Sequence, residues 1–188
     1  MRRFFLDTEF TDLTQQAELI SMALVAETGE WLYIEIDDVD LNKSSEFVKQ
    51  NILPQLNALS ENANRNQQTI KCHKKDAELH LNQWFGQFEE FHSHTPTIQI
   101  WADCYAWDWM LFCDIFKHAL NLPKAIHYMP MDLATWLQSL GINPDAQRDS
   151  IVEYTVPVSG LHQHHALYDA LLERACFLKY NHEARIPI

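Results

Sequence analysis

Glycine and proline are scarce, with 4 and 7 among 188 residues. Few positions therefore force a turn, and most of the chain should lie in regular elements. No run of about 18 apolar residues occurs, so no hydrophobic helix is long enough to span a bilayer. The first residues, MRRFFLDTEF, begin with two arginines as an export signal does. Their apolar stretch is only Phe4 to Leu6 before Asp7 interrupts it, which argues against export. The four cysteines, Cys72, Cys104, Cys113 and Cys176, show no CxxC spacing and read as reduced thiols of a cytoplasmic protein. Positive charge is also short: 14 Lys and Arg face 26 Asp and Glu, a formal net charge of -12. That balance argues against broad electrostatic binding of duplex nucleic acid. It is compatible with a carboxylate cluster that holds cations.

What is present suits a globular chain. Hydrophobic residues make up 47% and charged residues 21%, and the length supports one substantial core. Residues 3–9, 18–26 and 31–36 read as three strands of an antiparallel meander. Residues 44–59 carry helical spacing that Pro54 should kink. Residues 60–75 are polar, without a clear period, and read as a loop. Its basic run Lys71-Cys72-His73-Lys74-Lys75 could touch backbone phosphates but reads rather as solvated. Residues 76–91 read as a helix, 97–102 as a fourth strand and 107–120 as a helix directly after it. Residues 132–140 read as a helix opened by an Asp132 cap and closed by Gly141. Residues 143–163 form a long connection, and 165–180 a last long helix. There is no internal repeat. The order implies a single α/β domain, residues 1–188, with a central mixed sheet flanked by helices.

Three short patterns carry chemistry. In Asp7-Thr8-Glu9 the two acids lie two apart on a strand, so both point to one face at its end. Like charges held that close need a cation between them. A solvated strand end is the alternative. In Asp103-Cys104-Tyr105-Ala106-Trp107-Asp108, a buried strand runs through a turn into the first turn of a helix. Ligands collect at such carboxyl ends of strands. Asp108 could equally be a helix-start acid, and Asp103 competes for the same role. In His164-His165-Ala166-Leu167-Tyr168-Asp169, a five-residue separation puts His164 and Asp169 about 140° apart on one helix. They converge only if His164 lies on the preceding loop. His165 and Tyr168 are then left to packing. A histidine cluster of His162, His164 and His165 that binds zinc is the competing reading.

In combination and order, these patterns resemble the DEDDh exonucleases of the RNase H-like (DnaQ-like) fold. That family carries DxE on its first strand, an Asp after its fourth, and HxxxxD opening its last helix. The phrases FFLDTEF, NILPQL, WADCYAWDWMLFCDIF and HHALYDA are similar to its branch of bacterial and phage 3'→5' exoribonuclease-like proteins. The likeness runs from about Arg3 to Tyr180. Much of the family has HNAxFD where this chain has Asp103 through Asp108, so Asp103 is an added acid.

The resemblance implies a metal-dependent 3'→5' exonuclease acting on single-stranded RNA ends. Asp7, Glu9, Asp108 and Asp169 would hold two divalent ions, Mg²⁺ or Mn²⁺, with Asp7 bridging them. His164 would act as the general base. Hard cations and all-oxygen ligands suit one another. Phe10, directly after the first motif, and Trp107 are candidates to stack on the terminal base. A DNA exonuclease of the same fold and a catalytically decayed nucleic-acid-binding module remain as alternatives. By analogy, a homodimer is an open expectation.

Overall fold

The computed structural model describes residues 1–103, 105–153 and 156–184. Cys104, and residues 154–155 of the long connection, lie outside the described residues. The first strand, β1 (Arg2–Phe10), contains adjacent phenylalanines that must face opposite sides of a sheet. Both are fully buried, so the strand is covered on both faces. Phe4 packs edge-on against Trp84, Phe85 and Phe88, while Phe5 packs against Phe177. β2 (Leu19–Ala26) is buried at every residue, and β3 (Trp31–Ile36) likewise. These three strands form the expected antiparallel meander.

The chain then forms α1 (Glu46–Asn51), capped by the Ser45 side chain, which accepts from the Val48 amide. Pro54 stops that helix, and a 3-10 turn at Leu53–Gln55 replaces the rest of the expected element. Residues 60–75 are not a loop. They form β4 (Asn62–Asn64), a tight hairpin, β5 (Gln67–Cys72) and the start of α2 (Lys74–Phe85). β5 runs parallel to β3 and antiparallel to β4. Only Thr69 and Cys72 of β5 are buried, so the apolar alternation that marks a strand is missing, and backbone pairing with β3 carries it instead. The basic run is likewise ordered: Lys71 Nζ donates to Asn57 Oδ1, His73 pairs with Asp37, and Lys74 Nζ pairs with Asp114.

The second helix ends at Gly86, and a 3-10 turn at Glu89–His92 follows where the helix was expected to continue. The expected fourth strand is β6 (Ile98–Ala102), parallel to β1. α3 (Ala106–Ile115) follows it and is shorter than expected; a 3-10 turn at Ala119–Asn121 completes that stretch. β7 (Met131–Asp132) adds one short parallel strand beside β6. α4 (Leu133–Ser139) is capped by Asp132, whose side chain accepts from the Thr135 amide, and Gly141 at φ +81 ends the stretch in the left-handed region. The long connection holds a short helix, α5 (Arg148–Val152). α6 (Ala166–Ala184) closes the fold.

All seven strands form one mixed sheet in the order β4-β5-β3-β2-β1-β6-β7. The second and third helices cover one face, burying Leu81, Trp84, Phe85, Leu111, Phe112 and Ile115 against even-numbered residues of the first three strands. The fourth and last helices cover the other, burying Leu133, Leu137, Leu167, Leu171 and Phe177 against Phe5, Ala23, Val25 and Tyr33. The carboxyl ends of β1 and β6 lie side by side between these layers. No helix among the described residues is long and apolar enough to cross a membrane.

Candidate active site

The first strand delivers Asp7 and Glu9 to the face covered by the last helix. Its ladder with β2 shifts register between Glu9 and Phe10. A bulge of this kind bends a strand and re-aims the side chain beside it. Phe10, which packs against the core of the opposite sheet face, also lines the cleft of Asp7 and Glu9 and stacks on Trp107, with ring centroids 5.7 Å apart and 21° between planes.

Asp108 lies in the first turn of α3, but it does not cap that helix. It is buried and turned onto the first strand, where its Oδ1 accepts from the Thr8 amide at 3.0 Å and from Thr8 Oγ1 at 2.7 Å. Asp103, its competitor in the sequence, is otherwise engaged. Its two oxygens receive Arg148 Nε at 2.7 Å and Nη2 at 2.8 Å.

His164 precedes the last helix, on the loop, at φ +67. A non-glycine residue in that region costs about 1–2 kcal/mol, so the surroundings must hold it there. They do so from both sides. The His164 amide donates to Asp169 Oδ2 at 2.8 Å. Gln55 Nε2 donates to the carbonyls of Gln163 at 2.8 Å and His164 at 3.1 Å, and Gln55 Oε1 accepts from the His162 amide. The His164 ring meets Phe47 edge-on at 5.0 Å. His165 is only 2% exposed and stacks on Tyr33 at 4.6 Å. Burial pushes its pKa down to about 4. His162 is exposed. The three histidines therefore point to three different surroundings and do not form the zinc cluster considered above.

A cleft of about 510 Å³ is lined by Asp7, Glu9, Asp108, His164 and Asp169 together with Phe10 and Trp107. Every candidate site residue thus reaches one place, from chain positions up to 162 residues apart. Leu13, Phe47, Val48 and Ile52 complete its apolar side. His164 and Asp169 also line a second cavity of about 560 Å³, together with Asp7, Asp103, Arg148 and Glu173.

The electrostatics of the acids are unfavourable as they stand. Burial, then repulsion from Asp169, Asp108, Glu9 and Glu173, holds Asp7 well above the carboxylate range. Burial, then Asp169 and Asp108, pushes Glu9 up to about 9. Burial raises Asp108 to about 7 against the pull of the two Thr8 hydrogen bonds, and raises Asp169 to about 7 against that of the His164 amide. Burial lowers His164 below its ordinary 6.5. Asp7 Oδ2 is wholly buried and has no hydrogen-bond partner. Ligand atoms of Glu9, His164 and Asp169 lie within 4.8 Å of one another. Crowded carboxylate oxygens, one of them orphaned, fit hard divalent cations.

Several contributors gave no signal in the sequence. Thr8 looked like the spacer of the first motif. Phe47 and Gln55 belong to a segment whose spacing indicated only a helix. Glu173 was legible in part: it lies four residues after Asp169, on the same face of one helix.

The family described as 3'-5' exoribonuclease Rv2179c-like domain matches residues 2–180. Two curated relatives, 3'-5' exoribonucleases Rv2179c and MT2234.1 from two strains of Mycobacterium tuberculosis, are 28% identical over 126 residues, covering 66% of this chain and 67% of theirs. A structure of exonuclease I superimposes with a TM-score of 0.52 at 14% identity over 96% of this chain. A second, of exonuclease I with SSB-Ct, gives 0.51 at 15% over 98%. The chain spans about two fifths of those structures, 41% and 42%, and at such identities the likeness speaks for the fold alone. These matches bear out the resemblance drawn from the motifs: the chain belongs to the Rv2179c-like 3'-5' exoribonuclease family and has the DnaQ-like exonuclease fold.

Proposed function

We propose that this chain removes 5'-mononucleotides from the 3' end of single-stranded RNA by metal-dependent hydrolysis. One observation carries the reading: four acids and a histidine from three separate segments line a single cleft whose other wall is aromatic and apolar. Two bound Mg²⁺ or Mn²⁺ ions would supply an activated water and charge relief at the phosphate. Asp7 would help to hold them, since its buried Oδ2 has no other partner. Glu9, Asp169 and Asp108 would complete the ligand set, with Thr8 fixing the orientation of Asp108.

His164 would take the proton from the attacking water. Its lowered pKa keeps the imidazole neutral and able to accept near neutral pH. Its backbone is held by Asp169 and Gln55, so the ring starts from a defined position. Phe10 and Trp107 would offer a sequence-tolerant face to the terminal base.

The preference for RNA follows the family and its curated relatives; the chemistry at the phosphate would be the same on DNA. The three described cysteines, Cys72, Cys113 and Cys176, are free and buried, which supports a reducing, cytoplasmic setting. The test is digestion of matched RNA and DNA oligonucleotides, labelled at the 5' end, with Mg²⁺. Stepwise shortening from the 3' end, faster on RNA, is expected. Internal fragments at early times would refute exonuclease action, and tight binding without release even with Mn²⁺ would indicate a binding module.

A further inference from the structure

We infer that Glu173 is a fifth carboxylate of the metal centre, a positioning residue that accepts a hydrogen bond from metal-bound water through its free oxygen. The inference rests on the metal reading proposed above. Glu173 is 2% exposed, among the most buried acids of the chain. One of its oxygens is accounted for: Oε1 accepts from the Asp103 amide at 2.9 Å, at the end of the strand beside β1. The other, Oε2, is wholly buried without a partner. A buried carboxylate oxygen with no donor is costly, and such orphans call for a missing partner.

The direction of that partner follows from the surroundings. Glu173 helps to line the second cavity, which Asp7 and Asp169 line as well. Asp7 has an Oδ2 orphaned in the same way. Asp169 lies one helical turn before it, on the same side of the last helix. Two orphaned carboxylate oxygens thus belong to residues that line one cavity beside the candidate ligands, and a donor reaching both would satisfy them. Mg²⁺ and Mn²⁺ sites commonly keep several waters, and these are strong donors. Partners of this outer kind commonly change metal affinity or activity by 10- to 100-fold when removed.

Glu173 is itself positioned. Arg148 grips the Asp103 side chain, and the Asp103 amide grips Glu173. The long connection before the last helix is thereby tied to the metal centre.

The experiment is calorimetric titration of Mn²⁺ into the full chain, compared with Glu173→Gln and Glu173→Asp. Glutamine keeps a carbonyl oxygen for the Asp103 amide but places an amide nitrogen, which cannot accept, at the Oε2 position. Mn²⁺ affinity should fall about 10- to 100-fold in Glu173→Gln, and the rise of the melting midpoint on adding Mn²⁺ should shrink. Glu173→Asp, which withdraws the free oxygen but keeps the charge, should fall between the two. Wild-type Mn²⁺ affinity in either variant overturns the inference while leaving the metal reading standing. A wild-type chain that binds no Mn²⁺ overturns both.

Discussion

Arg148 and Asp103 form a two-pronged ion pair, with Nε 2.7 Å from Oδ2 and Nη2 2.8 Å from Oδ1. The same guanidinium donates to the carbonyls of Ala146 and Pro144. Arg148 therefore neutralises the acid that would otherwise compete with Asp108 and pins the connection at 143–148. Both side chains are only partly exposed, 12% and 26%. Arg148→Ala should destabilise the fold by about 2 kcal/mol, the scale of a lost charge-assisted hydrogen-bond set. Arg148→Ala with Asp103→Asn should recover part of that loss, since no unpaired acid remains. Chemical denaturation of both variants measures this; a double variant no more stable than the single would contradict it.

Thr8 presents both its amide and its hydroxyl to Asp108. Thr8→Val removes the hydroxyl and keeps the shape of the strand. Asp108 then loses its shorter hydrogen bond. Turnover with Mg²⁺ should drop about tenfold, the equivalent of roughly 1.4 kcal/mol, and Thr8→Ser should restore it. Equal turnover in Thr8→Val and wild type would remove Thr8 from the site.

His164 combines a left-handed backbone with the proposed role of base. Asparagine tolerates that backbone but cannot take a proton near neutral pH. His164→Asn should keep the melting midpoint close to wild type and lower kcat by about 10²–10⁴-fold. Because burial lowers the His164 pKa, the wild-type rate should rise with pH along a limb centred below 6.5, the ordinary imidazole value. Measured kcat against pH checks both; a limb centred above that value would assign the base elsewhere.

The acids predict how stability depends on pH. Their folded-state pKa values are raised, so they stabilise the fold below their unfolded values, and that stabilisation is lost as pH rises through the folded ones. The window opens near the ordinary 3.8–4.5 and extends to about 7 for Asp108 and Asp169 and about 9 for Glu9. With metal chelated, the melting midpoint should fall as pH rises from about 5 to about 8. Mg²⁺ or Mn²⁺ should cancel much of that fall. Scanning fluorimetry with and without EDTA across this range would show it, and a flat metal-free profile would argue against the crowded carboxylates.

Phe10 and Trp107 stack on each other at the mouth of the apolar side. Phe10→Ala should raise KM about tenfold or more, in line with the 1–3 kcal/mol of a base–aromatic stack, and should change kcat less. A fall in kcat alone would make Phe10 a support for Glu9 instead.

The sequence made the site more legible than the fold's margins. The strand rule placed Asp7 and Glu9 on one face, because backbone geometry alone sets it. The five-residue spacing said only that His164 and Asp169 converge if His164 precedes the helix, and the structure has it there. Asp108 and Asp103 looked alike in the sequence, because what sets their surroundings apart is Thr8 and Arg148, 100 and 45 residues away along the chain. The polar strands at 62–72 were missed for a related reason: they bury few side chains, so no apolar pattern marks them. The helices at 44–59, 76–91 and 107–120 ran too long in the sequence because 3-10 turns extend their spacing past the true ends.

The two outer strands of the sheet have a bearing on assembly. One has three residues, Asn62–Asn64, and the other two, Met131–Asp132. Another chain laid along either would find only a short ladder of free backbone groups. Strand-to-strand stacking into larger aggregates is disfavoured by the same shortness.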